Sequence, residues 1–547
     1  MLLADAAIYV VLAAQFCQYR AAQLTRNNNK RQGYNMKQCN SGIFSFSVLA
    51  TALLLSACND SSNSPPAAVA YPPVSTAPPV PLPPEQGPTF ANVGVHDPSV
   101  IKVAGTFYVF GSHLAAAKST DLMHWQQVAD GVNSTNPLFA NVLTELEETF
   151  AWAQTDTLWA TDVIQLADGK FYMYYNACKG DSPRSALGVA VADNIEGPYV
   201  NKQILLKSGM WGEISEDGTI YDAQIHPNVV DPQAFFDKNG KLWLVYGSYS
   251  GGLFILEMDP ATGLTLPGQG YGKHLMGGNH SRIEGAYVLY SPDSDYYYLF
   301  SSFGGLDANG AYNMRVARAS APDGPYLDAL GNDMAAVKSD PALPLFDDAS
   351  IAPFGQKIMG NHLFVRGAGE PGTGAGSGYV SPGHNSAYFD AATGQYFLLF
   401  HTRFPGLGEQ HQLRVHQFFI NKDGWPVVAP HRYAPLSTAS TELNATISEN
   451  EVAGQYKFIN HGKDISASIK NSQLITLAAD GSVSSGAGNI SGSWHFGTEQ
   501  QITLNLGDTG LYEGVLSRQW HETPAQFVVT FSAQSAQGVS VWGSKLP

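Results

Sequence analysis

The sequence contains few charged residues, and this shortage limits what the protein can bind. Asp, Glu, Lys and Arg make up 14% of the 547 residues, and the formal net charge is −16. No cluster of Lys and Arg occurs beyond the first 40 residues, so the chain lacks the basic face that phosphate binding requires. We therefore expect no nucleic-acid partner.

Long apolar runs are also scarce. The run from Ile43 to Leu55 is too short to span a bilayer stably. It follows a short polar stretch that starts at Met36 and ends in Leu-Ser-Ala-Cys58, which is the pattern of a signal peptide. The ending resembles a bacterial lipobox, in which Cys58 would be acylated and become the mature N-terminus. A plain signal peptide with an incidental Cys58 is the alternative. Residues 1–35 have no part in this pattern, and we interpret them as lying upstream of the true start codon.

Cysteine is rare as well, which excludes a fold held by many disulfides. The chain has four, and cleavage before Cys58 would remove Cys17 and Cys39. Cys178 would then be the one free thiol of the mature chain. It lies in an apolar-rich stretch, so we expect it to be buried and unreactive. Residues 59–88 are rich in Ser, Pro and Ala and predict an extended spacer rather than a folded segment.

Glycine and aromatic residues are plentiful, with 55 Gly, 26 Tyr and 27 Phe, and they are organised in a repeat. Five times a polar residue is followed by a short apolar strand, a tight turn such as Asp168-Gly169, and an aromatic-rich strand. This repetition predicts an all-β fold, a five-bladed β-propeller over residues 89–435. Because the first strand of each blade lines the central axis, we expect the opening residues to meet at one mouth of the tunnel. They are Asp97, Asp162, Asp231, Glu284 and His384.

The pattern changes near the C-terminus. Residues 440–547 contain short alternating strands separated by polar and Gly-containing turns, which predict a small accessory domain, either a β-barrel or a sandwich. It contains no acid pair that suggests catalysis. We expect it to brace the propeller, with carbohydrate binding as the alternative.

Three short motifs contain the opening carboxylates: His96-Asp97-Pro98, Val230-Asp231-Pro232 and Ile283-Glu284-Gly285. In this order they resemble the catalytic set of family 43 glycoside hydrolases. Three further segments resemble its two-domain extracellular endo-1,5-α-L-arabinanases: Tyr246–Phe254, Ser381–Asn385 and His401–Phe404. The resemblance implies hydrolysis of internal α-1,5-arabinofuranosidic bonds of plant cell-wall arabinan with inversion.

Glycoside hydrolysis needs one group that protonates the leaving oxygen and one that activates water. The resemblance implies that Asp97 is the base and Glu284 the acid, while the charge of Asp231 keeps the pKa of Glu284 raised. Taken singly, Asp97 and Asp231 are also explained as turn residues before proline.

The resemblance implies further site residues. Those expected to bind substrate are Trp159, Asp162, Ser248, Tyr249, Asn385 and Arg403. His384 is expected to face one Ca²⁺ ion on the propeller axis, and the alternative is an imidazole that hydrogen-bonds to the acidic cluster without a metal.

The expected protein is a monomer that contacts the membrane through its lipid anchor only. It would be a cell-envelope lipoprotein, in the outer membrane given Asn59 after the anchor, or a secreted protein. Two other functions stay open: an exo-acting arabinofuranosidase or β-xylosidase on the same propeller, and a non-catalytic sugar-binding lipoprotein. Three intact carboxylates argue against the last, because a binder has no need of a raised-pKa acid.

Overall fold

The structure is a computed structural model that describes residues 87–436, 446–507 and 510–547. The predicted signal segment with Cys58, nearly all of the predicted spacer, and residues 437–445 between the two predicted domains lie outside the described residues. In the described part of the chain, no helix has the length and hydropathy that crossing a bilayer requires.

Residues 87–436 form five antiparallel β-sheets that follow one another along the chain, as the repeat predicted. Blade 1 contains β1 (Ser99–Val103), β2 (Thr106–Phe110), β3 (Ala116–Ser119) and β4 (Gln126–Ala129). Blade 2 contains β5 (Trp159–Gln165), β6 (Phe171–Cys178), β7 (Ser185–Ala192) and β8 (Val200–Lys207). Blade 3 contains β9 (Gln233–Phe236), β10 (Leu242–Tyr246), β11 (Leu253–Asp259), β12 (Leu264–Thr265) and β13 (Lys273–Met276). Blade 4 contains β14 (Ile283–Ser291), β15 (Tyr296–Phe303), β16 (Asn313–Ala319) and β17 (Gln356–Met359). Blade 5 contains β18 (His362–Val365), β19 (Gly376–Asp390), β20 (Gln395–Arg403), β21 (His411–Ile420) and β22 (Pro426–Val428).

The innermost strands close a ring. Strand β1 contacts β5, β5 contacts β9, β9 contacts β14, β14 contacts β19, and β19 returns to β1. An apolar cluster at this last junction joins Phe397 and Leu399 of blade 5 to Val109 and Ala117 of blade 1. The five sheets are therefore the blades of a closed propeller, and the residues that begin the inner strands share one end of its axis.

Alternation along the second strands explains how the blades pack. Strand β6 is buried along its whole length. Tyr172 and Tyr174 pack into a cluster with Leu244 of blade 3. Met173 and Tyr175 pack into the cluster shared with blade 1. Successive side chains of a strand point to opposite faces, so an aromatic run without polar breaks fills both of its neighbouring interfaces.

The connection from blade 1 to blade 2 contains two short helices, α1 (Val142–Glu145) and α2 (Glu147–Ala153). The side chain of Asn141 accepts a hydrogen bond from the backbone N–H of Leu143 at 3.2 Å and caps α1. Two single 3₁₀ turns lie at Ser112–Leu114 and Met334–Ala336.

In residues 446–507 and 510–547, eight strands form a closed barrel. Of the two predicted forms, the C-terminal domain therefore adopts the barrel and not the sandwich. A short helix, α3 (Glu449–Val452), precedes it and carries a capping box between Ser448 and Glu451. The barrel strands are β23 (Gly454–Asn460), β25 (Gln473–Leu477), β26 (Ser482–Ser485), β27 (Ser491–Phe496), β28 (Gln501–Asn505), β29 (Leu511–His521), β30 (Gln526–Ser535) and β31 (Ser540–Lys545). Apolar side chains such as Phe458, Ile502 and Phe531 pack into its core.

The barrel is joined to the propeller by backbone pairing and buried polar contacts. A two-residue strand, β24 (Lys470–Asn471), pairs in parallel with β18 of blade 5. The buried Nζ of Lys357 donates to the carbonyl oxygens of His461 at 2.9 Å and Asp464 at 2.7 Å. The guanidinium of Arg315 donates to the carbonyl of Lys463 at 2.7 Å. The barrel therefore contacts blade 5 through β24 and supplies hydrogen-bond acceptors to the buried Lys357 and Arg315 of blade 4.

Candidate active site

Four of the five predicted opening residues lie at the same end of the axis. Asp97 and Asp231 lie two residues before the inner strands β1 and β9, and Glu284 is the second residue of β14. Asp97, Asp231 and His384 line one small cavity together with Asn385. The inner strands therefore bring together residues far apart in sequence, as the repeat predicted.

The backbone at these positions is unusual. Asp97, Asp231 and His384 have φ values of 53°, 56° and 45°, a region that residues with a side chain rarely adopt. Glu284 and His384 each lie where the strand register shifts. Such bulges re-aim side chains next to functional sites. The prediction that the fifth unit opens at His384 was wrong in detail, because β19 begins at Gly376 and His384 lies at the irregularity within it.

Asp97 is held on all sides. Its Oδ2 lies 2.7 Å from Nδ1 of His96 and accepts a hydrogen bond from the hydroxyl of Ser112. Its Oδ1 lies 3.1 Å from Nδ1 of His384. Burial by itself would raise the pKa of Asp97, but the neighbouring His384 and His96 hold that pKa well below its usual range. Asp97 is therefore an ionised carboxylate near neutral pH, as a general base requires.

Glu284 is held by two hydroxyl groups. Tyr312 donates to its Oε1 at 2.7 Å and Ser248 donates to its Oε2 at 2.8 Å. Burial raises the pKa of Glu284, and the charge of Asp97 adds to this, while His384 and the two hydroxyl donors oppose it without cancelling it. A raised pKa favours the protonated form of the carboxyl group, which a general acid requires.

Asp231 lies beside the acid. Its Oδ2 accepts a hydrogen bond from the backbone N–H of Gly285 at 3.4 Å. Burial raises the pKa of Asp231 to about 7, and the charges of Glu284 and Asp97 add to this although His384 opposes them. Asp231 and Glu284 thus disfavour each other's ionisation, which keeps a proton on this pair beside an ionised Asp97.

The six residues expected to bind substrate occupy different environments. Trp159 and Tyr249 are half-buried, and the ring of Tyr249 packs edge-on against Phe346 with centroids 5.7 Å apart. Ser248 is buried and holds Glu284. Asn385 is buried in the cavity, and neither its Oδ1 nor its Nδ2 has a partner.

The other two, Asp162 and Arg403, make buried contacts with the protein. Asp162 accepts hydrogen bonds from the hydroxyl of Ser99 and from the backbone N–H of Ala234 at 2.8 Å, so it joins blades 1, 2 and 3 below the mouth. Nε of Arg403 donates to Oε2 of Glu409 at 2.5 Å.

His384 lies among the carboxylates. Burial opposes its protonation, but Asp97 and Asp231 raise its pKa to about 10. A second group of potential metal ligands consists of His96, Asp97 and His401. One nitrogen or oxygen atom of each lies within 4.8 Å of those of the others. Within that group, however, both imidazoles already contact Asp97 through Nδ1.

The residues that support the carboxylates were mostly missed from the sequence. His96 and His401 occur in the motifs quoted above, so their type and position were visible although their role was not. Ser112 and Tyr312 had no sequence signal, because they come from the 3₁₀ turn after β2 and the residue before β16. Only the packing of blades 1 and 4 brings them to Asp97 and Glu284.

Comparison with known proteins identifies both parts of the chain. The model of glycosyl hydrolases family 43 matches residues 89–347, and that of a C-terminal lipocalin-like domain matches residues 430–543. The extracellular endo-α-(1→5)-L-arabinanase 2 of Bacillus subtilis (strain 168) is 60% identical over 460 residues, which cover 84% of this chain and 94% of that protein.

Two solved structures agree with this. A glycoside hydrolase family 43 protein from Bacillus licheniformis is 59% identical, with a TM-score of 0.78, and the match covers 84% of this chain and 99% of that one. The endo-1,5-α-L-arabinanase from Thermotoga petrophila RKU-1 is 49% identical, with a TM-score of 0.78, and the match covers 84% of this chain and 100% of that one. Given the matching family model and the identity and coverage of these relatives, the chain belongs to glycosyl hydrolase family 43.

Proposed function

We propose that the protein is an endo-1,5-α-L-arabinanase that hydrolyses internal α-1,5-arabinofuranosidic bonds of arabinan with inversion of configuration. The observation that carries this proposal is the opposite direction of two pKa shifts at one mouth, lowered for Asp97 and raised for Glu284. The arabinanase activity of the Bacillus subtilis and Thermotoga petrophila relatives supplies the substrate class.

In the proposed reaction the ionised Asp97 accepts a proton from a water molecule, which attacks the anomeric carbon. Glu284 donates its proton to the glycosidic oxygen as that bond breaks on the opposite face of the sugar. Asp231 keeps the proton on Glu284 until it is needed. At the end Asp97 carries a proton and Glu284 lacks one, and exchange with solvent restores both.

The substrate contacts are also proposed. Trp159 and Tyr249 have the exposed aromatic surface that a sugar face would pack on. Asn385 has a free amide for a sugar hydroxyl. Ser248 would act on the substrate through Glu284, whereas Asp162 and Arg403 would maintain the walls of the site through their protein partners.

We also propose a Ca²⁺ ion on the axis, at His384. The residues fit a hydrated cation, because a buried amide without a partner, Asn385, lies beside His384 in a cavity bordered by two carboxylates. The ion would displace the proton of His384, whose neutral imidazole would hold it together with Oδ1 of Asn385, with water as the remaining oxygen ligands. Its charge would reduce the repulsion among the clustered carboxylates.

The extracellular relatives support export of this chain. We propose anchoring through an acylated Cys58, with residues 59–88 as the spacer that holds the enzyme away from the membrane. Globomycin, which blocks maturation of lipoproteins, is expected to leave an uncleaved precursor, and Cys58→Ser is expected to release the enzyme from the membrane fraction.

The sharpest test is digestion of linear arabinan with the product sizes followed over time. Early short oligomers are expected, while release of monosaccharide alone would identify an exo-acting enzyme. Glu284→Gln should abolish hydrolysis, and Glu148→Gln, which changes a carboxylate with a side chain 77% exposed, should not. Binding of arabinan without any hydrolysis by the wild type would indicate a sugar-binding protein instead.

A further inference from the structure

Tyr312 contacts the proposed acid itself and a histidine that supports the proposed base. It directly precedes β16 and is 1% exposed. We infer that Tyr312 is a positioning residue that fixes the carboxyl group of Glu284 relative to Asp97. This inference rests on the proposed function, since it takes Glu284 as the acid and Asp97 as the base.

The first contact is with the acid. The Tyr312 hydroxyl donates to Oε1 of Glu284 at 2.7 Å, and Ser248 donates to the other oxygen. With a donor on each oxygen, the plane of the carboxyl group is fixed. The two donor oxygens differ in mobility. The serine Oγ turns about a single Cα–Cβ bond, whereas the phenol oxygen moves only together with its ring. The buried ring of Tyr312 therefore sets the direction in which Glu284 presents its proton.

The second contact is with the residues behind the base. The ring of Tyr312 lies parallel to that of His401, with centroids 6.0 Å apart and an angle of 21°. His401 accepts the backbone N–H of Asp97 and stacks on His96 with centroids 3.7 Å apart. His96 in turn contacts Oδ2 of Asp97. Tyr312 of blade 4 thus packs against the stacked imidazoles of His401 and His96, which contact the proposed base.

The chain leaves room for this ring at Gly383. A Cβ atom at Gly383 would lie 2.1 Å from Cδ1 and 2.2 Å from Cε1 of Tyr312, closer than any real contact. The φ of Gly383 lies outside the left-handed region, so its missing side chain, not its backbone freedom, is what the structure needs. Two positions 71 residues apart therefore depend on each other: a glycine in blade 5 and an aromatic ring in blade 4.

The experiment compares two substrates that differ in how much they need the acid. Arabinan has a sugar alkoxide as leaving group and needs protonation, whereas a 4-nitrophenyl arabino-oligosaccharide releases a stabilised phenolate and needs little. Tyr312→Phe removes only the hydroxyl and keeps the ring. We expect kcat on arabinan to fall about 10- to 100-fold with KM changed less than twofold, and kcat on the nitrophenyl substrate to fall less than threefold.

Gly383→Ala displaces the ring itself and so tests the second contact. We expect kcat to fall on both substrates, because the support of the base moves with the ring. If Gly383→Ala does not fold, Tyr312→Phe still tests the first contact. Tyr312→Leu, which removes the ring without introducing a clash, then replaces Gly383→Ala as the test of the second contact. Tyr326→Phe is the matched control, since Tyr326 is also 1% exposed and donates to the carbonyl of Pro322, away from the site. Its kinetics should equal those of the wild type.

Three results would overturn the inference: unchanged arabinan kinetics in Tyr312→Phe, an equal loss on both substrates in that variant, or a similar loss in Tyr326→Phe. Glu284→Gln distinguishes this failure from failure of the proposed function. If Glu284→Gln retains arabinan hydrolysis, the assignment of the acid is wrong. If Glu284→Gln is inactive and Tyr312→Phe behaves as the wild type, only the role of Tyr312 is wrong.

Discussion

The backbone N–H of Asp97 donates a hydrogen bond to Nδ1 of His401, 304 residues later in the chain, at 3.2 Å. This bond joins the start of blade 1 to the last inner hairpin of blade 5, so closure of the propeller also fixes the backbone of the proposed base. His401 must remain neutral to accept it, and its burial lowers its pKa well below the usual range, which the nearby His96 reinforces.

His401→Ala is expected to lower kcat on arabinan by about 10- to 100-fold, because the N–H of Asp97 loses its acceptor and the left-handed backbone at Asp97 loses a constraint. His401→Asn should retain more activity than His401→Ala, since its Oδ1 offers an acceptor near the position of Nδ1. Steady-state kinetics of both variants check this, with His495→Ala on the exposed side of the barrel as control. Equal activity of the two variants would contradict the role of the hydrogen bond.

Asp97→Asn is expected to abolish hydrolysis of arabinan and of a nitrophenyl arabino-oligosaccharide alike, by about 10³-fold or more, because both substrates need an activated water. Glu284→Gln should abolish only the first. The measurement is kcat/KM on the two substrates, with Asp193→Asn as control because that side chain is 87% exposed. Retained activity of Asp97→Asn on the nitrophenyl substrate would assign the base elsewhere.

Acid is expected to destabilise the junction between propeller and barrel. Burial lowers the pKa of His362 to about 4 and that of His416 and His521 to about 3. Below an unfolded pKa of about 6.5 the unfolded chain binds more protons than the native one, so the free energy of unfolding falls as pH falls. Each of these histidines contributes a slope of about 1.4 kcal/mol per pH unit, and the loss levels off near its folded pKa.

Urea unfolding at several pH values between 7.5 and 5 measures that slope. Below about pH 5.5 His416→Gln should flatten it by about 1.4 kcal/mol per pH unit, and by less at higher pH, whereas His495→Gln should leave it unchanged. A free energy of unfolding that does not change over this pH range would show that the buried histidines do not govern acid stability.

Lys357→Met is expected to lower the free energy of unfolding by about 2 kcal/mol, because the buried carbonyl group of His461 would lose its donor and that of Asp464 would lose a hydrogen bond. Urea denaturation checks the size of the effect. Lys170→Met is the control, since that ammonium group lies at the surface beside Asp193. Equal stability of Lys357→Met and the wild type would mean that the barrel is held by its apolar contacts and by β24 alone.

The sequence was sufficient to predict the blades because their signals are local. A turn such as Asp168-Gly169 requires a positive φ, and Gly169 has a φ of 81°. The aromatic runs are long enough to fill two interfaces each. The repeat also brought Asp97, Asp231 and His384 to one cavity, although His384 lies within β19 rather than at its start. What the repeat did not distinguish was depth: Asp162 opens a unit like the others, yet it lies below the mouth and joins three blades.

The sequence by itself therefore determined the all-β class and the number of blades, since hairpin geometry and strand alternation depend on neighbouring residues. The roles of the three carboxylates stay predictions. Only the tertiary structure decided the closed form of the barrel and which carboxyl group is ionised. Burial raises both pKa values, His384 and His96 lower that of Asp97, and Tyr312 and Ser248 partly oppose the rise at Glu284. His384, Tyr312 and Ser248 approach these carboxylates only when the ring of blades closes. A local sequence pattern does not predict distances between residues that lie so far apart in the chain.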